Sequence, residues 1–189
     1  GMMYSGSANL AILACPGGER FADAVIQHLK HIYVEKLNRK IDKLIKRYDL
    51  QKERLIRDIN FYNDLISSGL HENNEIEKIR VPRFKVNARF TYFTNGEFKT
   101  EILECIRGKN VFIFQDVENH YPLWVNEGKN QHVFSVNDHL MSMMVTIDAV
   151  RYAGAAHITL VVPVYPYSRQ HKKKGREGLT ASMLGHFYE

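Results

Sequence analysis

The stretch that decides the fold is residues 137–177, NDHLMSMMVTIDAVRYAGAAHITLVVPVYPYSRQHKKKGRE. Between Asp138 and Ala153, Leu140, Met144, Ile147, Ala149 and Val150 recur at steps that place them on one face, which predicts a helix. Ile158 to Val162 is then apolar apart from Thr159 and stops at Pro163, which reads as a buried strand. A helix feeding such a strand predicts a parallel sheet with helices packed on it. The loop that follows, Pro163 to Glu177, is basic and lies just past the carboxyl end of that strand. In parallel α/β sheets that edge is where ligands bind.

The same pattern repeats upstream. Leu10 to Ala14 is a short apolar run halted by Cys15-Pro16-Gly17-Gly18, and Val111 to Phe114 is another; both read as buried strands. Lys85 to Tyr92 and Phe98 to Cys105 flank Thr94-Asn95-Gly96, an Asn-Gly hairpin signal. Cys105 is expected to pack in its strand as a small hydrophobe. Residues 70–79 are polar and read as irregular, and Pro82 stops any helix there. Residues 118–134, holding Pro122, Trp124 and Gly128, read as a long loop. The fold class expected is therefore α/β, a mostly parallel sheet flanked by helices and carrying a β-hairpin.

From Glu19 to Ser68 there is neither Gly nor Pro. Apolar residues recur with helical spacing from Ala22 to Tyr33, approach a heptad seam through Leu37, Ile41, Leu44 and Tyr48, and resume at Leu55, Ile59, Tyr62 and Ile66. This predicts a long helix or helical hairpin, a coiled-coil-like insertion over about residues 37–80, ending at Ser67-Ser68-Gly69. A turn near Asp49 would fold it back, although nothing in the sequence compels one.

The 189 residues allow one domain with an appendage, with enough chain to bury a core without staples. Two cysteines, Cys15 and Cys105, exclude a disulfide scaffold and suit a reducing, cytoplasmic setting. No apolar run approaches the roughly 18 residues of a membrane span. Gly1 ahead of Met2 reads as an expression remnant.

The net charge of +5 raises nucleic acid as a partner, but the basicity is local. Lys30 to Arg57 holds ten Lys or Arg against four Asp or Glu, and Arg169 to Arg176 adds five basic residues and no acid, leaving the rest of the chain net acidic. The first segment reads as the polar side of an exposed helix. Its basic face has no interleaved stacking aromatics for RNA and its apolar face no Trp for a membrane surface, so neither is expected as a partner. The second is placed to meet phosphate, with Arg as a bidentate fork and Lys as a point charge.

Phe93-Thr94-Asn95-Gly96-Glu97 taken alone is a hairpin turn; in its functional sense the tip presents an aromatic face, an amide and a carboxylate suited to a purine. His120, His132, His139, His157, His171 and His186 show no metal-ligand spacing, so no metal site is expected from them. GxxxxGK[ST] and GxSxG are absent, and Gly17-Gly18 is no dinucleotide fingerprint.

Taken together, FTNGE (93–97), EILECIRGKNVFIFQDV (101–117) and the stretch from Asn137 onward resemble, in order and spacing, the N-terminal half of ribose-phosphate pyrophosphokinase. The resemblance implies a phosphoribosyltransferase-like fold and a single N-terminal domain over 1–189. The implied activity, Mg²⁺-dependent, moves the diphosphate of ATP to ribose 5-phosphate to make phosphoribosyl pyrophosphate for nucleotide biosynthesis.

By that resemblance Phe93 stacks on adenine, Glu97 meets its polar edge, and Asn95 stands where the family has an acid. Arg169 and Gln170 take ATP phosphates and ribose, His171 replaces a common Asp, and Lys172 is a further cation for the polyphosphate. The hairpin and the Arg-Gln pair come from neighbouring subunits in the family, which implies a homo-oligomer, at least a dimer. No catalytic residue is assigned within the chain, because the family's metal-associated His, flexible catalytic loop and Asp-rich ribose-phosphate loop belong beyond Glu189, in the C-terminal catalytic domain. The 37–80 helix and the 118–134 loop are insertions relative to the family. The substitutions at 95 and 171 also motivate an alternative, a non-catalytic regulatory or scaffold relative binding nucleotide or partner subunits. A further alternative makes the helical arm a protein-interaction module.

Overall fold

A computed structural model describes residues 10–49, 51, 71–74, 79–170, 172 and 179–188. Three strands, β1 (Leu10–Ala14), β6 (Asn110–Phe114) and β9 (His157–Val161), form a parallel sheet in the order β1-β6-β9. Ala11 pairs with Val111 and Val111 with Ile158, so the three apolar runs lie side by side. A fourth extended segment borders β1: the Ile12 N–H donates to the Phe84 carbonyl at 2.7 Å, and the Val86 N–H to the Ile12 carbonyl at 2.8 Å.

Side-chain alternation divides these strands between two cores. Ala11 and Leu13 of β1, with Val111 and Ile113 of β6, face the helix α2 (Val136–Tyr152) and pack with Val150. Ile12, Ala14 and Phe114 face the opposite way, against Ala22 and Ile26 of α1 (Glu19–Tyr48). Continuous hydrophobicity in β1 and β6 is thus the mark of strands covered on both sides. The expectation of a buried strand at Ile158–Val162 is corrected: β9 lies at the edge of the three-stranded order and leaves His157 and Thr159 exposed.

At 30 residues, α1 outruns the sheet. Leu37 and Ile41 are buried in a separate cluster with Tyr33, Leu44 and Ile45, so the seam from Leu37 is an apolar contact face. The helix runs through residue 37 unbroken and stops at Asp49, which adopts the left-handed conformation (φ 50°). Lys46 and Arg47 in the last turn complement its carboxyl-terminal dipole. The expected continuation through Leu55, Ile59, Tyr62 and Ile66 to Gly69 lies outside the described residues.

Among the described residues there are also three two-stranded antiparallel ladders: β2 (His71–Asn74) with β3 (Ile79–Pro82), β4 (Ala88–Tyr92) with β5 (Phe98–Ile102), and β7 (Leu123–Val125) with β8 (Asn130–His132). The first corrects the reading of 70–79 as irregular, and the last corrects 118–134 as plain loop. Backbone pairing builds both, and strands of three or four residues carry too few side chains for alternation to show. Cys105 is also corrected: β5 ends at Ile102, so Cys105 falls beyond the ladder and is exposed.

The β4–β5 hairpin packs on α2 through Ala88, Phe90, Ile102 and Ile147, and the Thr100 and Thr146 hydroxyls meet at 2.9 Å. A short helix, α3 (Thr180–Tyr188), adds Leu184 to a cluster with Val117, Leu140 and Met143. Among the described residues no helix is long and apolar enough to cross a membrane.

Candidate functional site

The carboxyl ends of β1, β6 and β9 share one edge of the sheet. Beyond β1 the chain turns through Gly17 (φ 92°) and Gly18 into α1, with the Gly18 N–H bonded to the Cys15 carbonyl at 2.8 Å. Beyond β6 lies Gln115, completely buried beside α2. Its amide nitrogen donates to the His139 carbonyl at 3.0 Å and to Ser142 Oγ at 2.9 Å, and its Oε1 accepts from the Asp116 N–H. The same amide faces His139 Nδ1 at 3.3 Å while Nε2 of that ring meets the Asn119 carbonyl at 2.7 Å, which assigns the ring proton to Nε2. Phe134 stacks on the ring at 5.3 Å. These satisfied groups hold the edge rigid, and His139 is a structural core residue.

Cys15 ends β1 in the same interior, and burial pushes its thiol from 9.0 up to about 12, with Thr146 hydrogen bonding opposing and the Glu19 charge adding. In the unfolded chain the thiol ionises near 9, while in the fold it keeps its proton, so this group's contribution to stability falls as pH rises from about 9 to 12. Iodoacetamide at pH 8 is expected to alkylate the exposed Cys105 and spare Cys15 until the protein is unfolded, as read by peptide mass spectrometry.

Beyond β9 the loop forms the wall of an open pocket of about 410 Å³ lined by Glu118, Ser135, Val136, Asn137, Tyr167, Ser168 and Arg169. One side is the amino end of α2, closed by a capping box: Ser135 Oγ accepts from the Asp138 N–H at 3.2 Å, and Asp138 Oδ2 accepts from the Ser135 N–H at 2.8 Å. The other side is the single turn Ser168–Gln170. Tyr167 joins them, its hydroxyl donating to Asn137 Oδ1. Tyr167 is left-handed at φ 56°, an unfavourable conformation for a tyrosine that its bond and packing maintain. Tyr165 anchors the same loop, donating to the Ala181 carbonyl at 2.9 Å. An exposed guanidinium thus stands across a pocket from a helix amino terminus that Ser135 and the Asp138 carboxylate already cap, with Glu118 on the same wall, so Arg169 is the pocket group that attracts phosphate oxygens.

The other expected residues sit on the β4–β5 tip. The Phe93 N–H bonds the Glu97 carbonyl at 2.8 Å and the Gly96 N–H the Phe93 carbonyl at 2.9 Å, closing a three-residue connection with Gly96 at φ 90°. Asn95 Oδ1 accepts from the Glu97 N–H at 3.1 Å, so its first partner is the turn itself. Phe93 is 43% exposed. Phe93, Asn95 and Glu97 are not among the residues lining the Arg169 pocket; the fold brings together Arg169 and the α2 terminus, and holds the hairpin group separately. Gln170 ends the short turn and Lys172 is exposed two residues on, while His171 lies outside the described residues.

Sequence reasoning missed Glu118, Ser135 and Asn137. The capping-box spacing of Ser135 and Asp138 was a readable signal of a helix start. Glu118 had none, because only the chain's return past β6 brings it to the pocket. Among the described residues no three His, Cys, Asp or Glu side chains converge as a metal cage.

Comparison with known proteins meets this geometry at the β4–β5 hairpin, the β6–α2 edge and the basic loop together. The family model described as the N-terminal domain of ribose phosphate pyrophosphokinase matches residues 72–189. The chain belongs to that family. The ribose-phosphate pyrophosphokinase of Staphylococcus saprophyticus subsp. saprophyticus is 40% identical over 98 residues, 51% of this chain and 26% of the relative. Ribose-phosphate pyrophosphokinase 1 of Listeria monocytogenes serovar 1/2a is 35% identical over 100 residues, 52% of this chain and 27% of the relative. These alignments span about a quarter of each relative's length. A crystal structure of phosphoribosylpyrophosphate synthetase from Mycobacterium smegmatis shares the fold with TM-score 0.50 and 21% identity, over 94% of this chain and 38% of that one. The expected α/β class with its parallel sheet is therefore the observed one. The family match begins at residue 72, so β1 and α1 stand outside it.

Proposed function

We propose that this chain supplies the nucleotide-binding part of a ribose-phosphate diphosphokinase, which transfers the diphosphate of ATP to ribose 5-phosphate in nucleotide biosynthesis. The observation that carries this reading is the exposed Arg169 on a pocket at the carboxyl edge of a parallel sheet, in a chain of this family. Transfer of a diphosphate demands positioning and charge stabilisation more than covalent chemistry. Arg169 binds phosphate oxygens bidentately, Lys172 adds charge, and Gln170 and His171 complete the basic loop's contacts. Phe93 is the stacking face for the base, with Glu97 at its amino edge and Asn95 shaping the turn.

Mg²⁺ fits this chain as a passenger on the ATP phosphates, since it keeps most of its waters and binds phosphate where no protein cage is built. Ribose 5-phosphate binds in the downstream domain of the longer protein, and the nucleotide site is completed between subunits of a homo-oligomer, at least a dimer, in the cytoplasm.

Titration calorimetry with Mg·ATP tests this. Phe93→Ala is expected to weaken binding about tenfold or more, the worth of one base–aromatic stack. Unchanged affinity overturns the assignment. The catalytic part is tested on the protein carrying the downstream domain: ATP binding without formation of phosphoribosyl pyrophosphate leaves a non-catalytic nucleotide-binding relative.

A further inference from the structure

A connection from a strand to the next helix needs only about 2–6 residues. Here β6 ends at Phe114 and α2 begins at Val136, and the chain between them builds the β7–β8 hairpin. That hairpin turns through Asn126, Glu127 and Gly128, three consecutive left-handed residues at φ 54, 58 and 79°. Asn tolerates this conformation and Gly has no objection to it, but for Glu it is unfavourable, so the turn is held by what it touches.

What it touches is β4. The Phe93 N–H points toward β5, where it bonds the Glu97 carbonyl. Alternation along the strand therefore turns the N–H and C=O of Tyr92 to the outer edge of the hairpin. The Asn126 side chain takes both: Oδ1 accepts from the Tyr92 N–H at 2.9 Å, and Nδ2 donates to the Tyr92 carbonyl at 3.0 Å. One carboxamide thus replaces the peptide group of an adjacent strand and closes an open edge. Two further contacts fix the docking. Glu127 Oε1 lies 2.9 Å from Arg89 Nε on β4, and the His132 ring stacks on Tyr92 at 4.2 Å.

Tyr92 immediately precedes Phe93. We propose that Asn126 is a positioning residue for nucleotide recognition: the segment between β6 and α2 braces β4 at Tyr92 and so sets the direction in which Phe93 is presented. The inference rests on the reading of Phe93 as the stacking face. The bonds within the tip shape the turn but do not orient it against the sheet; among the described residues Tyr92 is the last on β4 bonded from outside the hairpin, with Phe98 opposite it on β5 meeting Phe134. Asn126 contacts no ligand in this scheme. It acts by holding the exposed ring in place before the base arrives, which removes an ordering cost from binding.

Asn126→Gly deletes the amide while suiting φ 54°, and Asn126→Asp keeps an acceptor for the Tyr92 N–H but loses the donor. Titrated with Mg·ATP, the 189-residue chain is expected to lose affinity about tenfold in Asn126→Gly and about threefold in Asn126→Asp, two bonds against one. The melting temperature is expected to stay within about 3 °C, as for surface changes. Amide exchange at Tyr92 is expected to quicken in Asn126→Gly only. Full affinity in Asn126→Gly, with affinity still lost in Phe93→Ala, overturns the positioning role and leaves the stacking role standing. A melting temperature that falls in step with affinity through both Asn126 variants marks a merely structural effect and overturns it too. No binding by the unaltered chain, or affinity equal to the parent's in both Phe93→Ala and Asn126→Gly, overturns both.

Discussion

Gly18→Ala is expected to lower the melting temperature by about 5–10 °C, the largest stability effect of any change argued from this fold. Gly18 has φ −92°, which any residue adopts, so the penalty is contact alone. A Cβ there would stand 2.5 Å from the Phe114 carbonyl oxygen and 3.2 Å from the Gln115 Cα. That oxygen cannot retreat freely, because it accepts the Cys15 N–H at 2.9 Å, and the next residue's N–H is bonded to Val161 at 3.1 Å. Forcing a methyl into such a site costs about 1–3 kcal/mol, and each kcal/mol shifts the melting temperature by about 2–4 °C in a domain of this size. Gly108→Ala is the control. Gly108 has φ 73° and nothing within 4 Å of a built Cβ, so its cost is conformational, about 1–2 kcal/mol. Thermal melts that rank Gly108→Ala as the more damaging would count against close packing of the β1–α1 turn on β6.

Arg169→Ala is expected to weaken Mg·ATP binding about 10–100-fold, because hydrogen bonds to a charged group are worth about 1.5–3 kcal/mol each way. Arg169 is exposed, so the fold should hardly register its loss. Arg169→Lys should fall between, keeping the charge but not the planar fork. Raising salt should weaken the parent protein more than the alanine variant, since the variant has one less charge to screen. Calorimetry across two salt concentrations reads all three effects. Parent-like affinity in Arg169→Ala would remove the observation on which the phosphate assignment stands.

Both predictions concern one sheet edge, and its parts differ in how visible they were beforehand. The strands β1 and β6 were legible because strands covered on both faces leave unbroken apolar runs, and β9 because its apolar residues, broken only by Thr159, stop at Pro163. The helix α2 was legible from its apolar face, and the Phe93–Glu97 tip from Asn-Gly. The ladders β2–β3 and β7–β8 were not. His71–Asn74 is wholly polar, and Leu123–Val125 spans three residues, so what pairs these strands is backbone, which carries no residue signature. The end of α1 was only an option in the sequence, a turn near Asp49, since a left-handed Asp49 takes the place of the Gly or Pro that usually announces a stop.

The sequence by itself determined the α/β class, the parallel sheet, the basic loop at its carboxyl edge and the family resemblance that the comparisons bear out. These are properties of neighbours along the chain: periodicity, turn residues and charge runs. Only the tertiary structure decided that Arg169 shares a pocket with the start of α2, that Tyr167 is tied to Asn137, and that Asn126 closes the edge of β4 at Tyr92. Those pairs are 30 or more residues apart, and their directional bonds require the backbone on both sides to be placed first. A hydrogen bond constrains where two atoms are in space and leaves almost no trace in the order of residues between them.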